Sequence, residues 1–589
     1  MTVETSESPA GIRFEADEKP PASLSAGLGL QLAILTIAGI VFTPAIVVRA
    51  AGGSEAYLSW AVFAAVAISG LTTILQAVRV GRFGAGYVLL MGTSGAFIAV
   101  CIAAIAKAGP AMLATLVVIS SFFQFALAGR LRWFRRILTP AVSGTVIMLI
   151  AVTVMPIVFK TMNEVPEGSP ASAGPLSALV TILIIAGIAL KANGPLRLWA
   201  PVIGIVVGTV FASVLGLYDA QRVSEAAWVG LPQGSWPGLD LGFGGVFWAL
   251  LPAFIFVTLI GAVETIGDSV AIQRVSWRRP RAVDYRAVQG ALSADGVGNL
   301  LSGLAGTVPN TTYSTSIAAT ELTGVAARIV GIAAGIVFLI LAFLPKALAL
   351  ILAIPAPVVG AYVTVLIAML FVIGMKIVIQ DGVDYRKGLI VGIAFWVGVG
   401  FQNELIFPSV TSGFAGGLLN NGMTAGGLVA IIMTAFVELT APRRSSMTSL
   451  LDPSALPKIR EFLAGHIERS SLDPSMTTRL EAAAEETLLT LHESDARSAD
   501  SGPRHLQITA YAEGGAVVLE FVAAANEDNL QDQIALLGER SSGGAPAEDG
   551  FSLRILEHLA SSIRHQQFHD TDVITLKVKG PGDSPILST

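Results

Sequence analysis

Two carboxylates stand four residues apart in a strongly apolar stretch of the sequence. Glu264 and Asp268 would lie on one face of a helix, because residues four apart share a face. Two acids this close inside a membrane do not both ionise fully, since burial and mutual repulsion disfavour two charges. A carboxylate also accepts two hydrogen bonds, which matches a cyclic amide or imide N–H. We predict that Glu264 binds such a substrate and that the pair takes up a proton; the alternative is a pair that only fixes helix packing.

A third acid and a series of hydroxyl groups follow Asp268. Asp295 is expected in a Gly-flanked turn of the next span, where it could hold a broken helix and contribute to proton coupling. A helix that begins near Thr315 would aim its N-terminal N–H groups at the middle of the membrane. A companion break at Gly92–Phe97 offers the same groups, with Phe97 as a stacking platform. The predicted substrate-binding residues are Thr93, Ser94, Gly95, Ala96, Phe97, Glu264, Thr312, Ser314, Thr315 and Ser316.

The composition places these residues in a polytopic membrane protein. Of 589 residues, 53% are hydrophobic and 13% charged, whereas soluble domains carry about 25% charged residues. A membrane helix needs about 20 apolar residues, and this criterion predicts fourteen spans between residues 27 and 440. Two interrupted spans stand third in each set of seven. Such paired breaks predict an inverted repeat with a binding site at the midplane of the membrane.

The charges of the loops predict the orientation of the chain. Most basic residues of the loops fall in alternate loops, which are therefore cytoplasmic. Both termini are then cytoplasmic, and a bacterial-type inner membrane is expected. Residues 1–25 lack the features of a signal peptide and are predicted to be a disordered lead. The transporter domain is predicted over residues 26–440.

A soluble portion is predicted after a linker over residues 441–454. Residues 455–589 show amphipathic helices followed by alternating strands, which predicts an α+β sandwich. All six histidines lie in this portion, so proton chemistry in the membrane portion depends on carboxylates. The single cysteine, Cys101, excludes an intramolecular disulfide and a cysteine metal cluster. No cofactor, metal ion or nucleic acid is expected to bind. No nucleophile–base constellation or P-loop indicates an enzyme.

Four motifs resemble the nucleobase–ascorbate transporter family of nucleobase:cation symporters. They are Glu264-Thr265-Ile266-Gly267-Asp268, Ala294-Asp295-Gly296, Pro309-Asn310-Thr311-Thr312-Tyr313 and Leu322-Thr323-Gly324-Val325-Ala326-Ala327-Arg328. The resemblance implies fourteen segments in two inverted repeats, forming a core domain (spans one to four and eight to eleven) and a gate domain that dimerises. It also implies symport of a base such as uracil, xanthine or urate with protons. Glu264 matches the family's base-binding acid, Asp268 the polar position one turn on, and Asp295 the aspartate of the purine branch.

The sequence departs from the family pattern in the tenth span. Thr315 and Ser316 stand where the family has Gln or Glu followed by Asn, and Gln31-Leu32 stands where many members have Gln-His. A site with shorter polar groups leaves two alternatives open. One is a small-anion transporter of the same fold, against which the negative charge of Glu264 argues. The other is a non-transporting sensor that signals through the C-terminal domain.

The C-terminal portion resembles the histidine-kinase-like ATPases of anti-sigma-factor kinases. The resemblance lies in Ala484–Thr490, the strand pair and Asp549–Leu556. However, Thr490 stands at the position of the metal-binding Asn, and Phe521–Asn526 replaces the adenine-binding Asp-Gly box. We therefore predict a degenerate domain that does not bind ATP. It would serve in dimerisation, regulation or binding of a cytoplasmic protein.

Overall fold

The computed structural model separates into two units, each described by itself. The first comprises Met1–Arg278 with Ala287–Val437, and the second Arg279–Arg286 with Glu438–Thr589. The described residues are 11–131, 139–232, 234–279, 281–379, 382, 384–407, 421–439, 444–469, 476–496, 505–513, 516–524, 531, 556, 558–569 and 571–579.

The first unit consists mainly of apolar helices. Its helices are α1 (Ala22–Ala50), α2 (Glu55–Val78), α3 (Ile98–Gly129), α4 (Pro140–Met162), α5 (Ala173–Lys191), α6 (Pro195–Val214), α7 (Ala220–Glu225), α8 (Gly245–Arg274), α9 (Tyr285–Ala305), α10 (Thr315–Thr323), α11 (Arg328–Ala342), α12 (Pro345–Leu352), α13 (Ala356–Ile379), α14 (Tyr385–Gln402) and α15 (Gly422–Leu439). Two short strands interrupt this series, β1 (Leu90–Thr93) and β2 (Asn310–Tyr313). Both coincide with the breaks predicted from the sequence.

Among the described residues, eight helices are long and apolar enough to cross a membrane. A ninth is added if α11 and α12, which are bent by 88°, form one span. Gly109, with a φ of 83°, and Pro110 kink α3 at the boundary between two predicted spans. Glycine accepts this left-handed conformation without steric cost. The predicted count of fourteen spans and the inverted repeat stay predictions.

Glycine pairs allow several helices of the first unit to cross closely. A Cβ on Gly144 of α4 would lie 2.5 Å from the carbonyl oxygen of Gly374 on α13, and a Cβ on Gly374 would lie 2.7 Å from that of Gly144. Gly70 of α2 and Gly335 of α11 show the same reciprocal approach, at 2.8 and 2.7 Å. Small residues of this kind let membrane helices pack backbone to backbone. Larger residues at these positions would separate the helices.

The segment before α1 differs from the predicted disordered lead. Phe14 forms a parallel bridge to Val325, and Ala16 is 1% exposed in a small apolar cluster with Ile272. Met1–Ala10 lie outside the described residues. The apolar Phe14 and Ala16 alternate with charged neighbours, which is a strand signal that the high Glu and Pro content of this segment obscured. We call residues 12–18 the N-terminal strap.

Ion pairs at residues 17 and 18 and a hydrogen bond at residue 12 hold the strap in place. Arg278, just after α8, donates from both terminal nitrogens to Glu18 at 2.7 and 2.6 Å, and from Nε to the carbonyl of Ile12 at 3.0 Å. Arg328, at the start of α11, pairs with Asp17 at 2.6 Å. The strap therefore connects the end of α8 to the turn between α10 and α11.

We expect removal of residues 2–18 to lower the thermal unfolding temperature in detergent by several degrees. Removal of residues 2–10 is the matched control and should leave this temperature unchanged. The hydrogen bonds from Arg278 lower the pKa of Glu18. The contribution of this pair is therefore present above the unfolded-state pKa of a glutamate and is lost as pH falls through the folded-state value. Equal unfolding temperatures for both truncations would contradict a stabilising strap.

The second unit contains a five-stranded antiparallel sheet. Its strands β3 (Ser445–Leu450), β4 (His505–Glu513), β5 (Ala516–Ala524), β6 (Ser562–Gln567) and β7 (Thr571–Lys579) lie in the order β3-β4-β5-β7-β6. Two helices, α16 (Leu456–Arg469) and α17 (Met476–Ala496), contribute to the same apolar core, in which Leu463, Leu488 and Phe521 are fully buried. This unit thus contains both helices and strands, whereas the predicted α+β sandwich domain over residues 455–589 stays a prediction.

Two boundaries of this unit differ from the prediction. The predicted linker over residues 441–454 contains β3, which pairs with β4 along its whole length. Residues 562–564, predicted to end a helix, instead begin β6 and pair with β7. In both places the pairing partner is distant in sequence, so the local pattern did not reveal it. The helix predicted over Leu530–Leu537 lies outside the described residues except for Gln531.

Candidate functional site

The two interrupted segments meet as a pair of antiparallel strands. Gly92 of β1 lies opposite Thr311 of β2, and Thr93 lies opposite Asn310. Beyond the strands, the backbone N–H of Ser94 donates to the carbonyl of Pro309 at 2.8 Å. Each strand thus supplies the hydrogen-bond partners that the other needs, which is essential where no water is available.

Tyr313 covers the strand pair from one side. Its hydroxyl donates to the carbonyl of Thr93 at 2.9 Å, and its ring lies against Gly92, where a Cβ would overlap the ring carbons. Only glycine therefore fits at position 92. The hydroxyl groups of Tyr313 and Tyr362 both approach Gly39 of α1.

Helix α8 brings its two acids to the strand pair. The Thr312 hydroxyl donates to Oδ2 of Asp268 at 2.8 Å, and Ser314 lies beside this carboxylate. Glu264 lies one turn away and is half-buried; within the part of the chain that the structure describes, no hydrogen bond reaches its carboxylate. Gly267, between the two acids, is exposed. Glu264 is therefore the acid on this face that remains available to a ligand.

The structure places Asp295 inside helix α9 and not in the turn expected from its glycine neighbours. Its side chain is 1% exposed. Oδ2 accepts hydrogen bonds from the Thr265 hydroxyl at 2.7 Å and from the Gln124 amide at 2.6 Å. The helix passes through Gly296 and Gly298 because their missing side chains admit Phe125 and Thr72. Those glycines thus serve helix packing, not a turn.

The predicted binding residues of the third span differ in their contacts. Some are already hydrogen-bonded within the protein, and others have no such partner among the described residues. The Thr93 hydroxyl donates to the carbonyls of Gly39 and Ile40, both at 3.2 Å, so it holds β1 against α1. The buried Ser94 hydroxyl has no partner among the described residues. Gly95 is exposed and Ala96 is buried. Phe97 is also buried, against Phe254 of α8 at a centroid distance of 6.4 Å.

The predicted residues of the tenth span separate in the same way. The Ser316 hydroxyl donates to the carbonyl of Tyr313 at 2.9 Å and accepts from the N–H of Leu90 at 3.4 Å, so it joins α10 to β1. Ser314 is exposed beside Asp268, and Thr315 is half-buried at the first position of α10. The strand pair thus brings together Glu264, Asp268, Ser94, Gly95, Ser314 and Thr315.

Sequence reasoning missed the buried amides around Asp295. Gln124, Asn299 and Asn310 are each at most 4% exposed. The sequence did indicate them, because burying an amide in an apolar span costs free energy unless the amide is hydrogen-bonded. Thr311 was not among the predicted binding residues, and its buried hydroxyl has no partner among the described residues.

The chemistry of this site is that of recognition and not of covalent reaction. A carboxylate without a hydrogen bond from the described residues, hydroxyl groups and extended backbone lie among apolar helices. These groups can accept hydrogen bonds from a small polar molecule and donate hydrogen bonds to it. Interrupted helices that carry polar groups among apolar spans are typical of polytopic membrane transporters.

Comparisons with known proteins identify the family. The family model for xanthine and uracil permeases, described as "Permease family", matches residues 25–404. A protein of Clostridium perfringens described as a purine permease is 30% identical over 426 residues, which cover 70% of this chain and 89% of the relative. The xanthine permease XanP of Escherichia coli is 27% identical over 443 residues, covering 71% and 93% of the two chains. The chain belongs to this permease family, the nucleobase–ascorbate transporters; it is an integral membrane protein and not an enzyme.

A solved structure with the same fold extends the comparison. The murine anion transporter Slc26a9, in its inward-facing state, matches 74% of this chain and 71% of its own length, with a TM-score of 0.50 and 14% sequence identity. At this identity the likeness concerns the fold alone.

We expect Gly92→Ala to abolish ligand binding and to lower the thermal unfolding temperature, because the added Cβ overlaps Tyr313 and separates β1 from β2. Gly95→Ala is the matched control, since nothing lies within 4 Å of its added Cβ. Gly95→Ala should keep the unfolding temperature of the wild type. Thermal unfolding in detergent measures both variants, and a Gly92→Ala protein as stable as Gly95→Ala would contradict the packing described.

Proposed function

We propose that this protein is a proton-coupled symporter of a nucleobase, such as xanthine, urate or uracil, across the inner membrane. The observation that carries the proposal is the half-buried Glu264 carboxylate, which receives no hydrogen bond from the described residues and lies beside the paired strands. Membership of the permease family supports the nucleobase class. The purine and xanthine permeases among the relatives favour a purine.

Each polar group of the site has a role in this proposal. Glu264 accepts N–H groups of the base, because an ionised carboxylate offers acceptors only. The unpartnered hydroxyls of Ser94 and Thr311 supply donors for its carbonyl groups. Asp268 accepts a hydrogen bond from Thr312 and so keeps β2 beside α8. These two elements of the site therefore move together. The first turn of α10 adds backbone N–H groups near Thr315.

The short side chain of Thr315 changes the expected mode of recognition. A family Gln or Glu at this position would reach the base directly, whereas a threonine hydroxyl ends well short of it. The base would therefore depend more on Glu264 and on the backbone of the strands. Water or a larger substituent on the base would fill the remaining space.

The transport cycle that we propose follows from the interrupted spans. Proton uptake from outside is shared among the acids Glu264, Asp268 and Asp295, so that Glu264 is ionised when the base binds between the third and tenth spans, and the core domain then moves past the gate domain. The fourteen-span inverted repeat, the homodimer through the gate domains and the cytoplasmic termini belong to this proposal. Basic loops on one side of the membrane support the orientation.

Glu264→Gln should abolish binding of the base, because an amide replaces one acceptor oxygen by a donor. The measurement is a thermal-shift screen of the detergent-purified protein with xanthine, urate, uracil, guanine, hypoxanthine, sulfate and bicarbonate. A ligand at 100 times its Kd stabilises the folded state by about 2.7 kcal/mol. Glu321→Gln is the matched control, since Glu321 is exposed at the far end of α10, and it should keep the full shift.

The outcomes of the screen separate the competing functions. A shift with a base that is lost in Glu264→Gln and followed by proton-driven uptake in proteoliposomes supports symport. Shifts with anions alone would replace it by a small-anion transporter of the same fold. Binding of a base without uptake would indicate a sensor that signals through the C-terminal unit.

We further propose that the C-terminal unit regulates or dimerises the transporter without binding nucleotide. Thr490, at the position of the metal-binding Asn of the kinases, donates its hydroxyl to the carbonyl of Glu486 within its own helix at 2.7 Å. A hydroxyl engaged in this way does not hold a metal ion for ATP. This unit is also the candidate binding site for a cytoplasmic protein partner.

We expect ATP with Mg²⁺ to leave the unfolding temperature of the full-length protein unchanged. A chain that ends at residue 444 should still take up the base in proteoliposomes, with an altered rate or oligomeric state. Uptake assays and light scattering of both proteins check this expectation. Stabilisation by ATP would refute the degenerate assignment.

A further inference from the structure

A chain of buried amides runs from Asp295 to strand β2. The Gln124 amide of α3 donates to Asp295 Oδ2 at 2.6 Å, and its oxygen accepts from Asn299 Nδ2 of α9, also at 2.6 Å. Asn299 Oδ1 then accepts from the backbone N–H of Asn310, the first residue of β2, at 2.7 Å. All four side chains are at most 4% exposed. The chain therefore joins an acid to the strand that lines the candidate site.

The direction of every hydrogen bond in this chain is fixed. A backbone N–H only donates, so Asn299 must present its oxygen to Asn310 and its amino group to Gln124. Gln124 must then present its own amino group to Asp295. Since Oδ2 of Asp295 accepts this bond, a proton that binds Asp295 goes to Oδ1, which has no partner among the described residues. The amides cannot reverse without losing the bond to the strand.

The charged groups that face Asp295 come from one element. Helix α8 presents Glu264 and Asp268, whose negative charges act on Asp295. The other contacts are uncharged, namely the Thr265 hydroxyl and the Gln124 amide. No described basic side chain balances Asp295. The Gln124 and Thr265 bonds are therefore what holds the ionised form.

We propose that Gln124 and Asn299 are positioning residues that make strand β2 respond to the proton on Asp295. This inference rests on the proposed symport and names its coupling path. Hydrogen bonds to an ionised group are about twice as strong as those between neutral groups. When Oδ1 binds a proton, the negative charge is lost and the bond from Gln124 to Oδ2 weakens. Asn299 and the N–H of Asn310 are then held less firmly, and β2 is free to shift beside the base.

The proton balance of this step is simple. One proton passes from the outer solution to Oδ1 of Asp295 and leaves from the same oxygen to the inner solution. No bond other than O–H forms or breaks, and the amides only change the strength of their hydrogen bonds. Conversely, by linkage, binding of the base changes the affinity of Asp295 for its proton by the same factor.

The test measures the affinity of a base at several pH values for the purified full-length protein. We use xanthine, or whichever base the wild type binds. In the wild type, Kd should change about tenfold across the titration, within the usual range of such couplings. Gln124→Leu and Asn299→Leu keep the approximate volume but remove the chain, so Kd should lose the part of its pH dependence that arises from Asp295, while the base still binds and the part that arises from Glu264 stays.

A buried amide outside the chain is the matched control. Gln289 lies on the same helix as Asn299 and donates to the carbonyl of Ala128 in α3 at 3.0 Å, yet it has no bond to Asp295 or Asn299. Gln289→Leu should lose stability to a similar extent and keep the pH dependence of the wild type. A purely structural role of Gln124 would give the same result for both variants.

A second variant keeps the proposal testable if Gln124→Leu folds poorly. Asp295→Asn should itself remove the part of the pH dependence that arises from Asp295, and adding Asn299→Leu to it should change nothing further. Full pH dependence in a folded Gln124→Leu or Asn299→Leu protein would overturn the relay while leaving symport intact. A wild type that binds no base would instead refute the proposed function.

Discussion

The pairing of β1 with β2 is the interaction on which the rest of the structure depends. Both strands interrupt apolar helices, and extended backbone in such surroundings is tolerated only where its polar groups are bonded within the protein. The two segments satisfy one another across 220 residues of sequence, from Thr93 to Tyr313. Because β1 and β2 are paired, the helices α3 and α10 that follow them begin close together. The first turns of both helices therefore lie near Glu264.

The three acids near the strand pair differ in their hydrogen-bond partners. Asp268 is bonded by hydroxyls of the strand segment, Asp295 by an amide and a hydroxyl of neighbouring helices, and Glu264 by no described group. Three ionised acids in one apolar region would repel each other strongly, so proton uptake is the least costly way to reduce the charge. A carboxylate that is left without partners gains most from a ligand. The division of roles among the acids is thus a consequence of their hydrogen bonds.

Sequence patterns identified the elements of the site better than the orientation of its side chains. Apolar length and paired breaks located β1 and β2, and the spacing of Glu264 and Asp268 placed both acids beside them. The glycines around Asp295 suggested a turn, although they serve contacts with Phe125 and Thr72. Thr93 and Ser316 looked like ligands, but their hydroxyls bond to backbone groups that only the folded chain brings near. The N-terminal strap was missed for the same reason, since its partners lie more than 250 residues away.

In the proposed coupling path, the amide chain explains why the short tenth-span residues need not weaken the response to protons. In this chain the position of β2 depends on Asn310 and therefore on Asn299, Gln124 and Asp295, none of which contacts Thr315 through a described hydrogen bond. Recognition of the base at the start of α10 can consequently vary while the path from the proton to the strand stays intact. A substitution such as Thr315 would then change which base binds, whereas loss of Gln124 would change whether binding responds to protons. The choice of base and the response to protons are separable, because Asn310 lies at the start of β2 and Thr315 lies just beyond its end.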